Sequence, residues 1–314
     1  MKFLTEPIVF QPLYMDRVWG GRKLESVYGR DLPSSGTAYG ESWELVDREA
    51  EQSIVTGGEF DGMTLHGLWS HERERVFGVE NDGNGRFPLL VKILDARDRL
   101  SIQVHPPEEV AERLGGEPKT EMWFIADAEE DAALYVGLKK GVTAEEFASG
   151  IPRGDTASMV HRLPAGAGDF IFIPSGRLHA IGSGLLIFEI QQNSDTTFRV
   201  FDWNRMGLDG KARDLHVEES MECIDFGDTE PGLGKADGSL LVDCPFFRVE
   251  KRSLGMAEER RPVPVEKGGI IAVVRGTVRC GSREFCAGDF FLLPRGELSI
   301  TGGEDSEVLV ATLP

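Results

Sequence analysis

Residues 167–179 read Ala-Gly-Asp-Phe-Ile-Phe-Ile-Pro-Ser-Gly-Arg-Leu-His, and they align without gaps on residues 287–299, Ala-Gly-Asp-Phe-Phe-Leu-Leu-Pro-Arg-Gly-Glu-Leu-Ser. Each copy is a Gly-Asp turn, an apolar strand, and a Pro-x-Gly corner into a second strand. The glycines stand where such a backbone takes positive φ. A chain that builds this corner twice is built from two β units. The stretch 226–239 (Phe-Gly-Asp-Thr-Glu-Pro-Gly-Leu-Gly-Lys-Ala-Asp-Gly-Ser) is turn chemistry throughout and reads as the linker. The expected division is therefore 1–230, a first half with an N-terminal extension, and 240–314, a second half.

The rest of the chain agrees with an all-β reading. Runs at 87–94, 100–105, 121–125, 169–174 and 185–190 are short and rich in β-branched or aromatic residues. Gly, Pro, Asn and Asp punctuate them closely, as in a sandwich or barrel rather than a βαβ layout. Few helices are expected: 107–114 opens on prolines and acids, Thr143 and Glu146 form a capping-box pair, and 215–224 is a third candidate. With 40% hydrophobic residues over 314 positions, the chain can bury a core in each half. A formal charge of −19 argues against a nucleic-acid partner, which wants a basic face. A small phosphorylated substrate survives that objection, because local Lys and Arg within roughly 8 Å outweigh the distant field. Residues 1–10 hold no apolar core of signal-peptide length, and no run approaches the ~20 apolar residues that span a membrane. Cys223, Cys244, Cys280 and Cys286 form no Cys-x-x-Cys pair, so reduced thiols and a cytoplasmic location are expected. Oligomeric state has no signature.

The chemistry concentrates in the first half. In Ser101-Ile-Gln-Val-His105, strand alternation puts Ser101, Gln103 and His105 on one polar face, with Ile102 and Val104 on the other. Lys119, Glu121 and Trp123 share a face by the same rule. His179 ends the first repeat, where the second has Ser299. Two imidazoles and a carboxylate with an open position suit Zn²⁺, with Gln103 a fourth oxygen, and they suit non-haem Fe(II) equally. Lys92, inside an apolar run, and Arg199, after the strand carrying Glu189, would add cationic donors beside the metal. His66, His71, His161 and His216 read as solvated or capping residues. The repeat itself resembles the second motif of the cupin superfamily, which ends in a metal-binding His. That resemblance implies two jelly-roll sandwiches, the metal confined to the first.

Taken in order, Ser-Ile-Gln-Val-His-Pro at 101–106, Lys119-Thr-Glu-Met-Trp123, Pro174-Ser-Gly-Arg-Leu-His-Ala180 and Glu189-Ile-Gln-Gln-Asn-Ser-Asp-Thr-Thr-Phe-Arg199 resemble successive signatures of the type I mannose-6-phosphate isomerase family. Arg17-Val-Trp-Gly-Gly21, Gly40-Glu-Ser-Trp-Glu44 and Leu215-His-Val-Glu-Glu are similar to further motifs of its short bacterial form. The resemblance implies one Zn²⁺ per chain on His105, Glu121 and His179, with Gln103 a ligand in some members. It implies Arg199 as the catalytic arginine, with Lys119 and Glu189 beside it. Lys92, Ser101 and Glu44 match further active-site positions as substrate-binding residues. The implied reaction interconverts mannose 6-phosphate and fructose 6-phosphate through a cis-enediolate, whose growing negative charge a fixed cation would stabilise. Trp203-Asn-Arg departs from the longer members and leaves the phosphate's position open. Two rivals remain at this point. An Fe(II) cupin dioxygenase would want an apolar pocket and would take up oxygen. A non-catalytic sugar-phosphate-binding cupin would bind without exchanging hydrogen with solvent at C1 or C2.

Overall fold

A computed structural model describes residues 3–80 and 85–314. Strands dominate it. In chain order they are β1 (Phe10–Gln11), β2 (Leu13–Gly21), β3 (Tyr39–Leu45), β4 (Ile54–Val55), β5 (Leu89–Ala96), β6 (Ile102–Val104) and β7 (Glu121–Ala128). Then come β8 (Ala133–Leu138), β9 (Val160–Pro164), β10 (Phe170–Ile173), β11 (His179–Ile181), β12 (Leu185–Gln192) and β13 (Phe198–Phe201). The C-terminal part adds β14 (Leu240–Asp243), β15 (Arg248–Leu254), β16 (Glu259–Arg260), β17 (Gly269–Arg275), β18 (Thr277–Cys280), β19 (Arg283–Cys286), β20 (Phe290–Leu293), β21 (Ile300–Gly302) and β22 (Ser306–Thr312).

The expected capping box is formed: the Thr143 hydroxyl accepts from the Glu146 N–H, and the Glu146 carboxylate accepts from the Thr143 N–H. The other two helices are shorter than expected, Glu108–Ala111 and Val217–Cys223. The helix Leu65–His71, capped by Thr64, buries Leu65, Leu68 and Trp69 on one face.

Five sheets form. One is the two-stranded pair β1–β4; the other four fall into two pairs. The first pair is a six-stranded sheet, β10-β7-β12-β5-β2-β3, and a five-stranded sheet, β13-β6-β11-β8-β9. A buried cluster joins them, with Trp19, Trp123, Ile125 and Ile187 from one sheet meeting Leu134, Val136 and Ile181 from the other. The second pair is β14-β15-β22-β17-β20 and β16-β21-β18-β19, around Ile271, Val273, Phe285 and Phe291. The strand order repeats: 10-7-12-5 recurs as 20-17-22-15, and 6-11-8-9 as 16-21-18-19.

The sequence repeat is a structural one down to single bonds. Gly168 and Gly288 take φ of +91° and +88°. Their N–H groups donate to Ile125 O and Val273 O, both at 2.8 Å. Asp169 and Asp289 close the two turns by accepting from Gly166 N–H and Cys286 N–H. The chain separates into two compact units, Tyr14–Ser42 with Lys92–Gly234, and Met1–Leu13 with Trp43–Val91 and Lys235–Pro314. The break near 234 falls in the expected linker. The described residues up to 13 and between 43 and 91, however, cluster with the C-terminal part instead of extending the first half. Ile8 pairs with Leu292, and Gly268 N–H donates to Phe77 O.

Candidate metal centre and its cavity

Three strands of the Tyr14–Ser42/Lys92–Gly234 unit converge on one point. His179 opens β11, which pairs with β6 at His179↔Gln103, and His105 directly follows β6. Glu121 opens β7 on the opposing sheet, paired with Gln191 and Ile173. One nitrogen each of His105 and His179 and one oxygen of Glu121 lie within 4.8 Å of one another, and all three residues are buried. His105 Nε2 and His179 Nε2 are each 3.6 Å from a Glu121 oxygen.

The donor atoms are set for a cation. His105 donates Nδ1–H to Thr196 O, and His179 donates Nδ1–H to Arg177 O, both at 2.8 Å. Each backbone acceptor fixes the tautomer that leaves Nε2 with its lone pair turned inward. Burial, reinforced by the Lys119 charge, pushes the His105 pKa down to about 3, so the ring is neutral and able to ligate. Burial lowers His179 as well. His105 Nε2 and both Glu121 oxygens are buried without a hydrogen bond. Lys119 Nζ, at 2.9 Å from Glu121 Oε2, makes an ion pair there. Burial alone would raise the Glu121 pKa; Lys119 and His105 more than reverse it and hold the carboxyl ionised. Three buried donor atoms aimed at one space, with no proton among them, fit a tetrahedral dication. Gln103 presents its amide nitrogen to His179 Nε2 at 3.3 Å, while its Oε1 accepts from the Ser101 hydroxyl. Ligation by its carbonyl oxygen requires the amide to turn over.

A cavity of about 480 Å³ opens from this point, large enough for a sugar phosphate. Gln103, His179, Ser101, Lys92, Lys119, Glu189 and Arg199 all line it, as their strand faces require. Arg199 sits opposite Gln103 in the β13–β6 pairing, so His179, Gln103 and Arg199 form one cross-strand row. Glu189 pairs with Trp123; its carboxylate accepts the indole N–H at 2.9 Å and lies 3.6 Å from Lys92 Nζ. Burial and the Glu121 charge raise its pKa.

Glu44 does not reach this cavity. It lies on β3 three residues beyond Glu41, and an odd offset along a strand faces the other way. Glu41 lines the cavity, holds Arg17 in a two-point ion pair (2.9 and 3.2 Å) and lies 3.8 Å from Lys92. Both residues were visible in the Arg17-Val-Trp-Gly-Gly and Gly-Glu-Ser-Trp-Glu motifs, but no periodicity said which acid faced inward. Asp195, Asp209 and Arg213 also line the cavity and carry no local sequence signal. Of the remaining histidines, His66 pairs with Asp47. His216 starts a helix as expected and accepts the Arg199 N–H. Ile102 and Val104, on the opposite face, pack against helical residues such as Phe147 and Cys223.

The C-terminal sheets show what the site loses when copied. The pairings His179↔Gln103 and Ile300↔Arg260 set Ser299 opposite Arg261, so Arg261 stands where Gln103 does and Val263 where His105 does. The pairings Ile173↔Glu121 and Leu293↔Gly269 put Gly269 in place of Glu121.

Residues 8–134 match the family described as phosphomannose isomerase type I, catalytic domain. The chain is 39% identical over 310 residues to mannose-6-phosphate isomerase ManA of Bacillus subtilis (93% of this chain, 94% of that one). It is 35% identical to mannose-6-phosphate isomerase of Streptococcus mutans, with 98% of each chain covered. The crystal structure of the Bacillus subtilis mannose 6-phosphate isomerase superposes with a TM-score of 0.85 at 31% identity, over 98% of this chain and 100% of that one. A mannose 6-phosphate isomerase structure with zinc and yttrium bound shares the fold, with a TM-score of 0.75 at 14% identity.

Proposed function

The chain belongs to the type I phosphomannose isomerase family, and on that premise we propose how its own residues carry out the family's reaction. The protein interconverts mannose 6-phosphate and fructose 6-phosphate. The observation that carries the reading is the buried trio His105, Glu121 and His179, with lone pairs turned to a common space at the floor of a polar cavity. The trio would hold zinc, one ion per chain, with Gln103 beside it. The register supports that count, since Val263, Gly269 and Ser299 offer no equivalent ligands. Each sheet pair is assigned as a cupin jelly roll, with catalysis in the unit of Tyr14–Ser42 and Lys92–Gly234 and no metal in the C-terminal sheets.

When bound, the ion supplies fixed positive charge opposite the oxygens of the reacting carbons. The chain's side chains do the rest. Glu189, held by the Trp123 indole and lining the cavity, is assigned the proton that moves between C2 and C1. Lys119 and Arg199 stay cationic and steady the charge that develops on the enediolate oxygens. Ser101 and Lys92 orient the sugar hydroxyls. Free thiols at all four cysteines support a cytoplasmic setting, and the net charge of −19 supports a small-molecule partner over a nucleic acid.

The test is a coupled assay of mannose 6-phosphate turnover before and after chelation, with zinc added back. Loss on chelation and recovery with zinc is expected, together with solvent hydrogen entering C1 or C2. Turnover indifferent to chelation would overturn the metal assignment. Sugar-phosphate binding without hydrogen exchange would overturn the reaction.

A further inference from the structure

The corner between β10 and β11, residues 174–178, touches every segment that carries a member of the trio. Gly176 N–H donates to His105 O at 2.9 Å. Ser175 N–H donates to the Thr120 hydroxyl at 3.3 Å, one residue before Glu121. The Arg177 carbonyl accepts the His179 Nδ1–H at 2.8 Å. An imidazole turns as one rigid ring, so the direction of that carbonyl sets the direction of the Nε2 lone pair.

The Arg177 side chain is itself clamped. Its Nε and Nη2 grip the two Asp228 carboxylate oxygens, both at 2.8 Å, and its Nη1 donates to Phe172 O, also at 2.8 Å. Phe172 precedes the corner and Arg177 follows its turn, so the guanidinium spans the bend. The two side chains are only 17% and 15% exposed, and neither residue lines the substrate cavity. A planar two-point pair holds direction as well as distance. Asp228 has a fixed base of its own, because adjacent residues of β8 divide their N–H groups between it and the corner. Gly137 donates to Leu178 O at 2.7 Å, and Leu138 donates to Asp228 O at 3.0 Å. Gly137, at φ of +67°, permits the approach: a Cβ there would lie 2.9 Å from Asp228 O and 2.5 Å from Pro231 Cδ. The second copy supplies the contrast. The counterpart of Arg177 is Glu297, which is exposed, and it precedes Ser299, where there is no imidazole to aim.

We propose that Arg177 and Asp228 are positioning residues of the metal centre: their buried fork sets the Arg177 carbonyl, and that carbonyl sets the His179 ring. This rests on the metal assignment of the isomerase reading and deepens it, because the start of the segment that reads as a linker becomes part of the support of the centre.

Arg177→Ala and Asp228→Ala should each weaken zinc binding roughly 10–100-fold in competition against a chelator. The visible spectrum of the cobalt-substituted protein, which reports ligand geometry, should shift in both. In the metal-free protein, hydrogen exchange at His179 Nδ1–H, followed by NMR, should accelerate. Exchange at His105 Nδ1–H, bonded to Thr196 O, should keep its wild-type rate. That contrast separates the aiming of one ring from a general loosening, which would move both. Asp228→Glu keeps the carboxylate and should recover part of the zinc affinity. Wild-type zinc affinity, cobalt spectrum and His179 exchange in the alanine variants would overturn the proposal, as would equal acceleration at the two histidines. If an alanine variant does not fold, Arg177→Lys and Asp228→Asn remove the fork with less loss of volume and are read in the same way. A wild-type protein that takes up neither zinc nor cobalt would overturn the metal assignment, and the exchange contrast would still decide the positioning role.

Discussion

Replacing Lys119 by Met tests the electrostatic design of the centre. Lys119 and Glu121 form an ion pair at 2.9 Å with side chains only 6% and 1% exposed. Removing one member of a buried pair leaves the other uncompensated and costs about 3–5 kcal/mol. In the metal-free protein, Lys119→Met should therefore lower Tm by about 5–15 °C. With zinc bound the carboxylate has a dication for a partner, so the same substitution should cost far less. By the thermodynamic cycle, the difference must reappear as tighter zinc binding, roughly 100-fold or more for 3 kcal/mol. The variant should thus bind zinc more tightly while losing turnover, because the donor that steadies the enediolate is gone. Differential scanning calorimetry with and without zinc, plus competition against a chelator, measures both arms. An apo Tm within 2 °C of wild type, or zinc affinity unchanged, would refute the claim that Lys119 stands in for the metal's charge.

Two further outcomes follow from the same geometry. Arg199→Ala should lose roughly 10²–10³-fold in kcat while retaining zinc, because Arg199 touches the reacting region but none of the three ligands; loss of zinc in that variant would make its role structural. Burial would raise the Asp202 pKa, but hydrogen bonds from Arg213 and Arg205 outweigh it and hold the carboxyl below the usual range. Its stabilisation is therefore complete above the ordinary aspartate pKa near 4 and lost as pH falls through the depressed value. Asp202→Asn should flatten the acid limb of the stability curve, which urea midpoints taken between about pH 2 and 6 would show.

The trio was legible because strand alternation is strict: once 101–105 and 119–123 are strands, the ligand face is decided, and the repeat supplies His179. What stayed hidden depends on contacts distant in sequence. Glu41 and Glu44 sit in one motif on opposite faces of β3, and only the packed sheet shows which face meets the cavity. Arg213 lies on a loop whose path is set by a two-residue left-handed turn at Trp203 and Asn204 and by the hydrogen bonds of Arg205 and Arg213 to Asp202. The clustering of 43–91 with the C-terminal strands rests on bonds such as Gly268 N–H to Phe77 O, which no local pattern announces. The cost of Lys92 in an apolar strand was readable; the carboxylates Glu41 and Glu189 that offset it were not.

The second sheet pair explains why duplication of the scaffold did not duplicate the chemistry. The strand order and the Gly-Asp corner survived, since both are set by backbone conformation and turn bonds. The cavity did not. Val263, where His105 stands in the first copy, is 5% exposed and belongs to the apolar cluster. A Cβ placed on Gly269 would come within 2.7 Å of the Val263 side chain, so the position of Glu121 has no room for a carboxylate. Arg261, in the register of Gln103, spends its guanidinium on the carbonyls of Leu298, Pro264, Lys267 and Pro294. The space that holds donors in one copy is filled in the other by a valine and a backbone-bonded arginine. Restoring a metal site there would require removing both, because ligands added to an already packed interior bring overpacking strain before they bring a binding site.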